Sequence, residues 1–300
     1  MHTMCETLKI AVIGGDMRQV ALARRLGELG YETAVWGLPE NCDIGSAVRC
    51  TDWKSALGKS RAVILPLPAS RDGVNINAPF GQEKLSVNAV IEALSADTLL
   101  FGGKMDSSIK SVAKAHKITV IDYNENEEFQ VKNAVPSAEG AVEIAMRETD
   151  KTLSDSRIFI LGFGRIGKAL LSALRGFSND VTVAARKAGD RALARTFGGD
   201  SVDFFDEEFL FLISECDIIF NTVPALVLSR ETLEKLSKNC VIIDLASGEG
   251  GTDFSAAKSL EIKAIHALAL PGKVAPVSAG RIICDTVISL LNEERGDTKI

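Results

Sequence analysis

Leu161-Gly162-Phe163-Gly164-Arg165-Ile166-Gly167 is the part of this chain that points most directly to its architecture. A bare G-x-G-x-x-G arises by chance, but the flanks here are specific. Arg157-Ile158-Phe159-Ile160-Leu161 before it has the apolar run of a buried strand. After it, Ile166, Ala169, Leu170, Ala173 and Leu174 recur at the spacing of one helix face. Strand, glycine turn and helix in succession suit the pyrophosphate of a dinucleotide. Gly162 permits the tight turn, Gly164 lets the backbone approach the phosphates, and Gly167 lets helix and strand pack closely. The phosphates would meet the unpaired N–H groups of the first helical turn, at the positive end of its dipole. Phe163, Arg165 and Ile166 complete the candidate cofactor loop.

The next strand selects between dinucleotides. An NAD site places Asp or Glu about 20 residues beyond the glycines, where it bonds the ribose 2′-hydroxyl. The strand here reads Val181-Thr182-Val183-Ala184-Ala185-Arg186-Lys187, with Ala185 in the acid's place and two cations behind it. Arg186 can fork onto a 2′-phosphate, with Lys187 beside it. NADP is therefore expected over NAD. Asp190 falls in the first turn of the next helix.

Outward from this core the same alternation of short apolar runs and helical stripes fills the chain, the pattern of βαβ units. Strands are expected at Lys9–Ile13, Glu32–Trp36, Ala62–Leu65, Thr98–Phe101 and Ile118–Ile121, then at Ile158–Leu161, Val181–Ala184, Asp217–Asn221, Val241–Asp244 and Ile262–Ile265. The first helix carries Leu22, Leu26 and Leu29 on one face and stops at Gly30. Ala69–Gly81, rich in Asn, Gly, Pro and Ser, is a long loop of the kind that often carries function. A connecting helix is expected to begin just after Pro136. The expected fold is α/β, two doubly wound parallel-sheet domains of which the second is a Rossmann NADP-binding domain. The boundaries are 1–136 for the substrate-side domain and 137–275 for the Rossmann domain. Residues 276–300 are a C-terminal helix expected to pack back on the first domain.

Composition narrows the function classes. With Lys+Arg 34 against Asp+Glu 40, the net charge is −6, which argues against a nucleic-acid surface. No apolar run is long enough to span a bilayer or form a signal-peptide core, and a cytoplasmic location is expected. The six cysteines (Cys5, Cys42, Cys50, Cys216, Cys240, Cys284) form no C-x-x-C pair, and His2, His116 and His266 make no zinc-type cluster. Reduced thiols and no metal are expected.

The first series opens Ile13-Gly14-Gly15-Asp16-Met17-Arg18-Gln19, which lacks the third glycine. Asp16 would repel a pyrophosphate and suits a helix N-cap. This loop is not expected to hold a second nucleotide; a substrate role, with Arg18 as anion partner, fits better.

Several strings resemble one family. Gly14–Gln19, Asn133-Ala134-Val135-Pro136-Ser137-Ala138-Glu139-Gly140, Asp244-Leu245-Ala246-Ser247, Gly250-Gly251-Thr252-Asp253-Phe254 and Leu270-Pro271-Gly272-Lys273-Val274-Ala275-Pro276 are similar to the A subunits of dipicolinate synthase, in order and over almost the whole chain. Ser137 and Ser278 stand where the resemblance leads one to expect threonine, and both keep a hydroxyl. The resemblance implies an NADP-linked oxidoreductase of sporulating bacteria, acting in the mother cell. It would make dipicolinate from a dihydrodipicolinate-level intermediate of the lysine pathway. It further implies a partner, the flavoprotein-like B subunit of that synthase; a homo-oligomer is compatible with it.

Such a reaction needs anchors for two carboxylates, a hydride acceptor and a base. Arg18 and Lys273 are the first candidates for the anchors, with Lys104 third. Glu139 and Asp16 are candidate proton acceptors, between which the sequence does not choose, and Lys273 belongs to the same catalytic set. Asn221-Thr222-Val223-Pro224 and Ala246-Ser247 are expected to line the cofactor's ribose and nicotinamide, beyond the carboxyl ends of their strands. His266, at a strand end, is left outside the catalytic set. Two rivals remain: an NADP-dependent dehydrogenase of another small carboxylate, and a nucleotide-binding regulatory subunit.

Overall fold

The structure, a computed structural model, describes residues 8–178 and 180–296; Cys5 and His2 lie outside them. The chain divides into two compact units, one holding residues up to Lys132 and from Ala275 onward, the other Asn133–Val274.

In the first unit the elements are β1 Lys9–Ile13, α1 Met17–Glu28, β2 Glu32–Trp36, β3 Val48–Arg49, α2 Trp53–Leu57, β4 Ala62–Ile64, α3 Val87–Ala93, β5 Leu99–Gly102, α4 Ser107–Ala115 and β6 Thr119–Asp122. Helix α5, Glu127–Glu148, carries the chain from the first unit into the second. The second unit continues with β7 Ile158–Leu161, α6 Arg165–Leu174, β8 Val181–Ala184, α7 Ala188–Thr196, β9 Asp200–Val202, α8 Glu207–Ser214, β10 Ile218–Asn221, α9 Arg230–Leu233, β11 Val241–Asp244, α10 Phe254–Ser259, β12 Lys263–His266 and α11 Leu270–Val274. Helix α12, Pro276–Glu294, belongs to the first unit.

Each unit is a six-stranded parallel sheet, ordered β3-β2-β1-β4-β5-β6 in one and β9-β8-β7-β10-β11-β12 in the other. Both are doubly wound, as expected, with helices on the two faces. Side-chain alternation builds this from the central strands. Ile10 and Val12 enter the core under α1 and α12, whereas Ala11 and Ile13 enter the one under α2, α3 and α4. Ile158 and Ile160 face α5 and α6, and Phe159 and Leu161 face α8 and α9. Strands buried on both faces must be apolar throughout, and each fully buried Ile or Leu contributes roughly 1.5–3 kcal/mol.

Four expectations need correction. Helix α5 begins at Glu127 and runs through Pro136, so the proline is interior and does not open the helix. The buried positions Phe129, Ala134, Ala138, Ala141 and Ala145 continue past it. The Ser137 hydroxyl donates to the Asn133 carbonyl, 3.0 Å away, beside the N–H that proline lacks. Leu270–Val274, where the sequence pattern assigns no helix, is a short helix with Leu270 and Pro271 buried. The short strands β3 and β9 were not foreseen. Several strand ends fall elsewhere: β4 stops one residue early, β10 starts one late, and β5, β6 and β12 are displaced by one residue. Among the described residues no helix is long and apolar enough to cross a membrane.

Candidate functional site

The turn after β7 has the geometry its three glycines demand. Gly162 lies at φ +90°, where a Cβ would stand 2.6 Å from the Thr222 hydroxyl. At Gly167 a Cβ would lie 2.2 Å from the Gly162 carbonyl, so any side chain there would separate helix from strand. Gly164 is the opposite: a Cβ would meet nothing within 4 Å. It is the N-cap of α6 and brings no side chain to the first-turn N–H groups. The helix therefore offers donors beside open space, which fits a dinucleotide pyrophosphate. Phe163 is buried, Ile166 packs on the core, and Arg165 is exposed at the helix start.

Neighbouring loops hold this turn. The Thr222 hydroxyl donates to the Leu161 carbonyl at 2.8 Å. Asn221 is fully buried, and its amide closes on the loop itself: Oδ1 accepts from the Val223 N–H at 3.1 Å, and Nδ2 donates to the Val223 carbonyl at 3.2 Å. Asn221 and Thr222 therefore shape the loop with the side-chain groups expected to meet a ligand, while Val223 is half-buried and Pro224 exposed. Ala246 is buried and Ser247 exposed.

At the end of β8, Ala185 is buried and Arg186 and Lys187 are exposed, followed by Asp190 in the first turn of α7 as expected. No carboxylate occupies the ribose position of an NAD site at Ala185. Arg191, which residue patterns did not single out, holds this corner. Its Nη1 donates to the carbonyls of Ala185 and Arg186, each at 2.8 Å, and pairs with Asp203 at 2.5 Å. The Arg186 guanidinium has no partner among the described residues. A fixed backbone thus presents an unengaged cation.

Asp244 is another organiser that sequence reasoning missed. Fully buried at the end of β11, it accepts from the N–H groups of Ala246 (2.9 Å) and Gly251 (2.8 Å) and from the Thr252 hydroxyl (2.6 Å). Its presence in a family-like string was the available signal. His266 sits 3.1 Å from the Ala246 carbonyl through Nε2 and stacks on Phe254 with ring centroids 5.1 Å apart. Lys273 is exposed on α11, just beyond the carboxyl end of β12.

Glu139 is an exposed position in the middle of α5, not near its start. It opens onto a groove of about 710 Å³ whose other walls include Met146, Arg147 and Phe177. The α6 residue on this groove is Ala173, at the helix end opposite the glycine turn.

In the first unit Asp16 is the N-cap of α1, in a capping box with Gln19. Its carboxylate accepts from Arg18 Nε at 2.9 Å and Nη2 at 2.8 Å, and Nη2 also donates to the Leu67 carbonyl at 2.6 Å. Burial pushes the Asp16 carboxyl up, but the hydrogen bonds and charge of Arg18, with the charge of Arg71, outweigh it and hold the group below its ordinary value. Such a carboxylate is a weak proton acceptor. Arg18 is itself buried and two of its three nitrogens are engaged. Lys104 is exposed at φ +53°, with its N–H and that of Met105 held by the Asp122 carboxylate at 3.1 and 2.8 Å.

Comparison with known proteins agrees with this geometry. Residues 9–124 match the model of the N-terminal domain of dipicolinate synthase A subunits. Residues 130–270 match the NAD-binding domain of D-isomer specific 2-hydroxyacid dehydrogenases, a nicotinamide-dinucleotide domain of oxidoreductases. The dipicolinate synthase A subunit of Bacillus subtilis strain 168 is 31% identical over 97% of this chain and 98% of its own length. The crystal structure of the B. subtilis protein superposes with TM-score 0.86 at 29% identity, covering 99% of this chain and all of that one. The crystal structure of the Bacillus halodurans counterpart gives TM-score 0.84 at 27% identity, over 95% of this chain and 98% of the other. With its glycine turn open in one unit and closed by an ion pair in the other, the chain belongs to the family of dipicolinate synthase A subunits.

Proposed function

We propose that this chain is the NADP-linked dehydrogenase subunit of a dipicolinate synthase, oxidising a dihydrodipicolinate-level ring to dipicolinate. The observation that carries the cofactor half is the corner at Ala185–Arg186. There an uncharged strand end and an unengaged guanidinium replace the acid that would select NAD.

The oxidation removes a hydride and a proton from adjacent ring positions and leaves an aromatic pyridine bearing two carboxylates. When bound, the dinucleotide supplies the hydride acceptor. The chain's own residues do the rest. The first-turn N–H groups of α6 hold phosphates, and Arg186 with Lys187 grips the 2′-phosphate. Val223, Pro224 and Ser247 border the cofactor, on loops shaped by Asn221, Thr222 and Asp244. Lys273 in the second unit and Lys104 in the first, each exposed near the carboxyl end of a strand of its own unit, are candidate carboxylate anchors, as is the remaining nitrogen of Arg18. Of the two acids, Asp16 serves to hold Arg18 and Glu139 faces a groove away from the glycine turn, so the proton acceptor is assigned to neither. The activity belongs to sporulation, in the mother-cell cytoplasm, and its partner is the flavoprotein-like B subunit.

One observation favours a second reading, a nucleotide-binding regulatory subunit: Asp16 is engaged by Arg18, and Glu139 opens onto a groove at the end of α6 away from the glycine turn. Purified chain mixed with substrate and NADP+ and followed by nicotinamide absorbance separates the two. Turnover without partner supports catalysis; binding without turnover, restored by the second subunit, supports regulation. Arg186→Asp should weaken NADP+ binding roughly 10- to 100-fold, the range for charged hydrogen bonds, and leave NAD+ nearly unchanged. Equal losses for both dinucleotides would reject the 2′-phosphate assignment.

A further inference from the structure

The loops that leave β1, β4 and β5 are stitched together at the carboxyl edge of the first sheet. The Gly15 N–H donates to the Asn77 carbonyl at 2.9 Å, the Asn77 N–H to the Ala69 carbonyl at 2.9 Å, and the Ala69 N–H to the Gly103 carbonyl at 2.8 Å. Residues 69–77 therefore lie between the Gly14–Asp16 turn and the turn that carries Lys104. Strands β1 and β4 are neighbours whose connections leave in opposite directions, the place where parallel sheets bind ligands.

The tip of this bridging loop is rigid. Asp72 accepts from the Ser70 hydroxyl (3.0 Å), the N–H groups of Val74 (2.9 Å) and Asn75 (2.7 Å), and Asn75 Nδ2 (2.8 Å). These bonds hold its carboxyl far below the ordinary range. An antiparallel bridge joins Ser70 to Ile76. Enclosed by these bonds is Arg71, exposed, with no hydrogen bond or ion pair among the described residues. Its charge nevertheless reaches the Asp16 carboxylate. Lys104, on the adjoining turn, is likewise exposed and unpaired among those residues. The acids of this edge are engaged elsewhere: Asp72 in its own loop, Asp106 on Ser108 and the Ile109 N–H, Asp122 on the N–H groups of Lys104, Met105 and Asn124.

We propose that Arg71 is a carboxylate anchor for the substrate, its guanidinium gripping one carboxylate in a two-point fork while Lys104 attracts the second as a point charge. The inference deepens the dicarboxylate reading above and rests on it. A fixed backbone spares the cost of ordering the loop when the guanidinium binds, and its planar fork matches a carboxylate. The deeper crevice is not available: Ile76 and Ala78 close over Gly14, and Arg18 ties to the Leu67 carbonyl. The edge is therefore shaped for a small anion above the loops.

The test is calorimetric titration of the full chain, saturated with NADP+, with pyridine-2,6-dicarboxylate. Wild type should bind, Arg71→Ala should bind roughly 10- to 100-fold more weakly, and Arg71→Lys should recover part of the loss. NADP+ affinity and the circular dichroism spectrum serve as controls for folding and should stay unchanged. If wild type binds and Arg71→Ala binds as tightly, the anchor is wrong and the dicarboxylate reading stands. If wild type binds NADP+ but no pyridine dicarboxylate, that reading fails and takes the anchor with it. Full wild-type affinity in Arg71→Lys would overturn the two-point fork in favour of simple charge attraction.

Discussion

Ile13-Gly14-Gly15-Asp16-Met17-Arg18-Gln19 in the first sheet and Leu161-Gly162-Phe163-Gly164-Arg165-Ile166-Gly167 in the second occupy the same place in sheets of the same strand order. Each follows the central strand and opens the first helix of its unit. They differ at two positions that decide occupancy. Where the second turn has Gly164 and open space, the first has Asp16, whose carboxylate caps its own helix and holds Arg18. Where the second has Gly167 against the Gly162 carbonyl, the first has Gln19, fully buried and bonded back to the Asp16 N–H at 3.1 Å. The first turn supplies its own anion to the helix N-terminus; the second leaves that place for a ligand. The same backbone plan yields a structural corner in one case and a cofactor cradle in the other.

The largest expected effect comes from carrying the first turn's acid into the second. Gly164→Asp adds a side chain where a Cβ meets nothing, so the fold should survive, and an N-cap Asp should leave the melting temperature unchanged or raise it. Next to a pyrophosphate the new charge is repulsive by about 4 kcal/mol at close range. NADP+ affinity should fall at least about 100-fold in calorimetry. Retained affinity would mean that the phosphates do not sit at α6.

The converse change, Asp16→Ala, should leave NADP+ affinity intact and strike stability. It removes a helix cap and strands the buried Arg18 guanidinium, whose side chain is 8% exposed. The expected loss is about 2–4 kcal/mol in urea unfolding at pH 7. Because folding lowers the Asp16 carboxyl below its ordinary 3.8, the unfolded chain binds more protons between the two values. The contribution is complete above about pH 5 and is lost as pH falls through the folded value. The gap between wild type and variant should therefore narrow on acidification; a gap that widens would contradict the ion pair.

These two turns also show what a sequence reveals. Strands β1, β2, β7, β8 and β11 were placed to the residue, since strands buried on both faces leave unbroken apolar runs ended by glycine or charge. The edge strands β3 and β9 leave no such mark: Val48 is 60% exposed, and pairing on one side asks little of composition. Pro136 misled because a proline opens helices more often than it sits inside them. In the candidate site, the glycine loop and the missing acid at Ala185 were legible as local spacings. Arg191, Asp244, Asp122 and Asp72 were not. Each acts on backbone groups of a turn, and no residue pattern announces which carbonyl or N–H a side chain will find.

The finest distinction concerns the support beneath the second turn. Thr222 has no counterpart of Arg18's reach to Leu67; it anchors the turn by one hydroxyl on the Leu161 carbonyl. Thr222→Val keeps the side chain's shape against Gly162 and removes that bond. The Leu161 carbonyl still accepts from the residue 222 N–H at 2.9 Å, so it is not orphaned and the stability loss should be only about 1 kcal/mol. If the bond sets the pose of Gly162, NADP+ affinity should also drop a few-fold, because donors displaced by fractions of an ångström bind phosphate less well. Loss of stability with unchanged affinity would show that the Gly162 carbonyl packing on Gly167 holds the turn without help from β10.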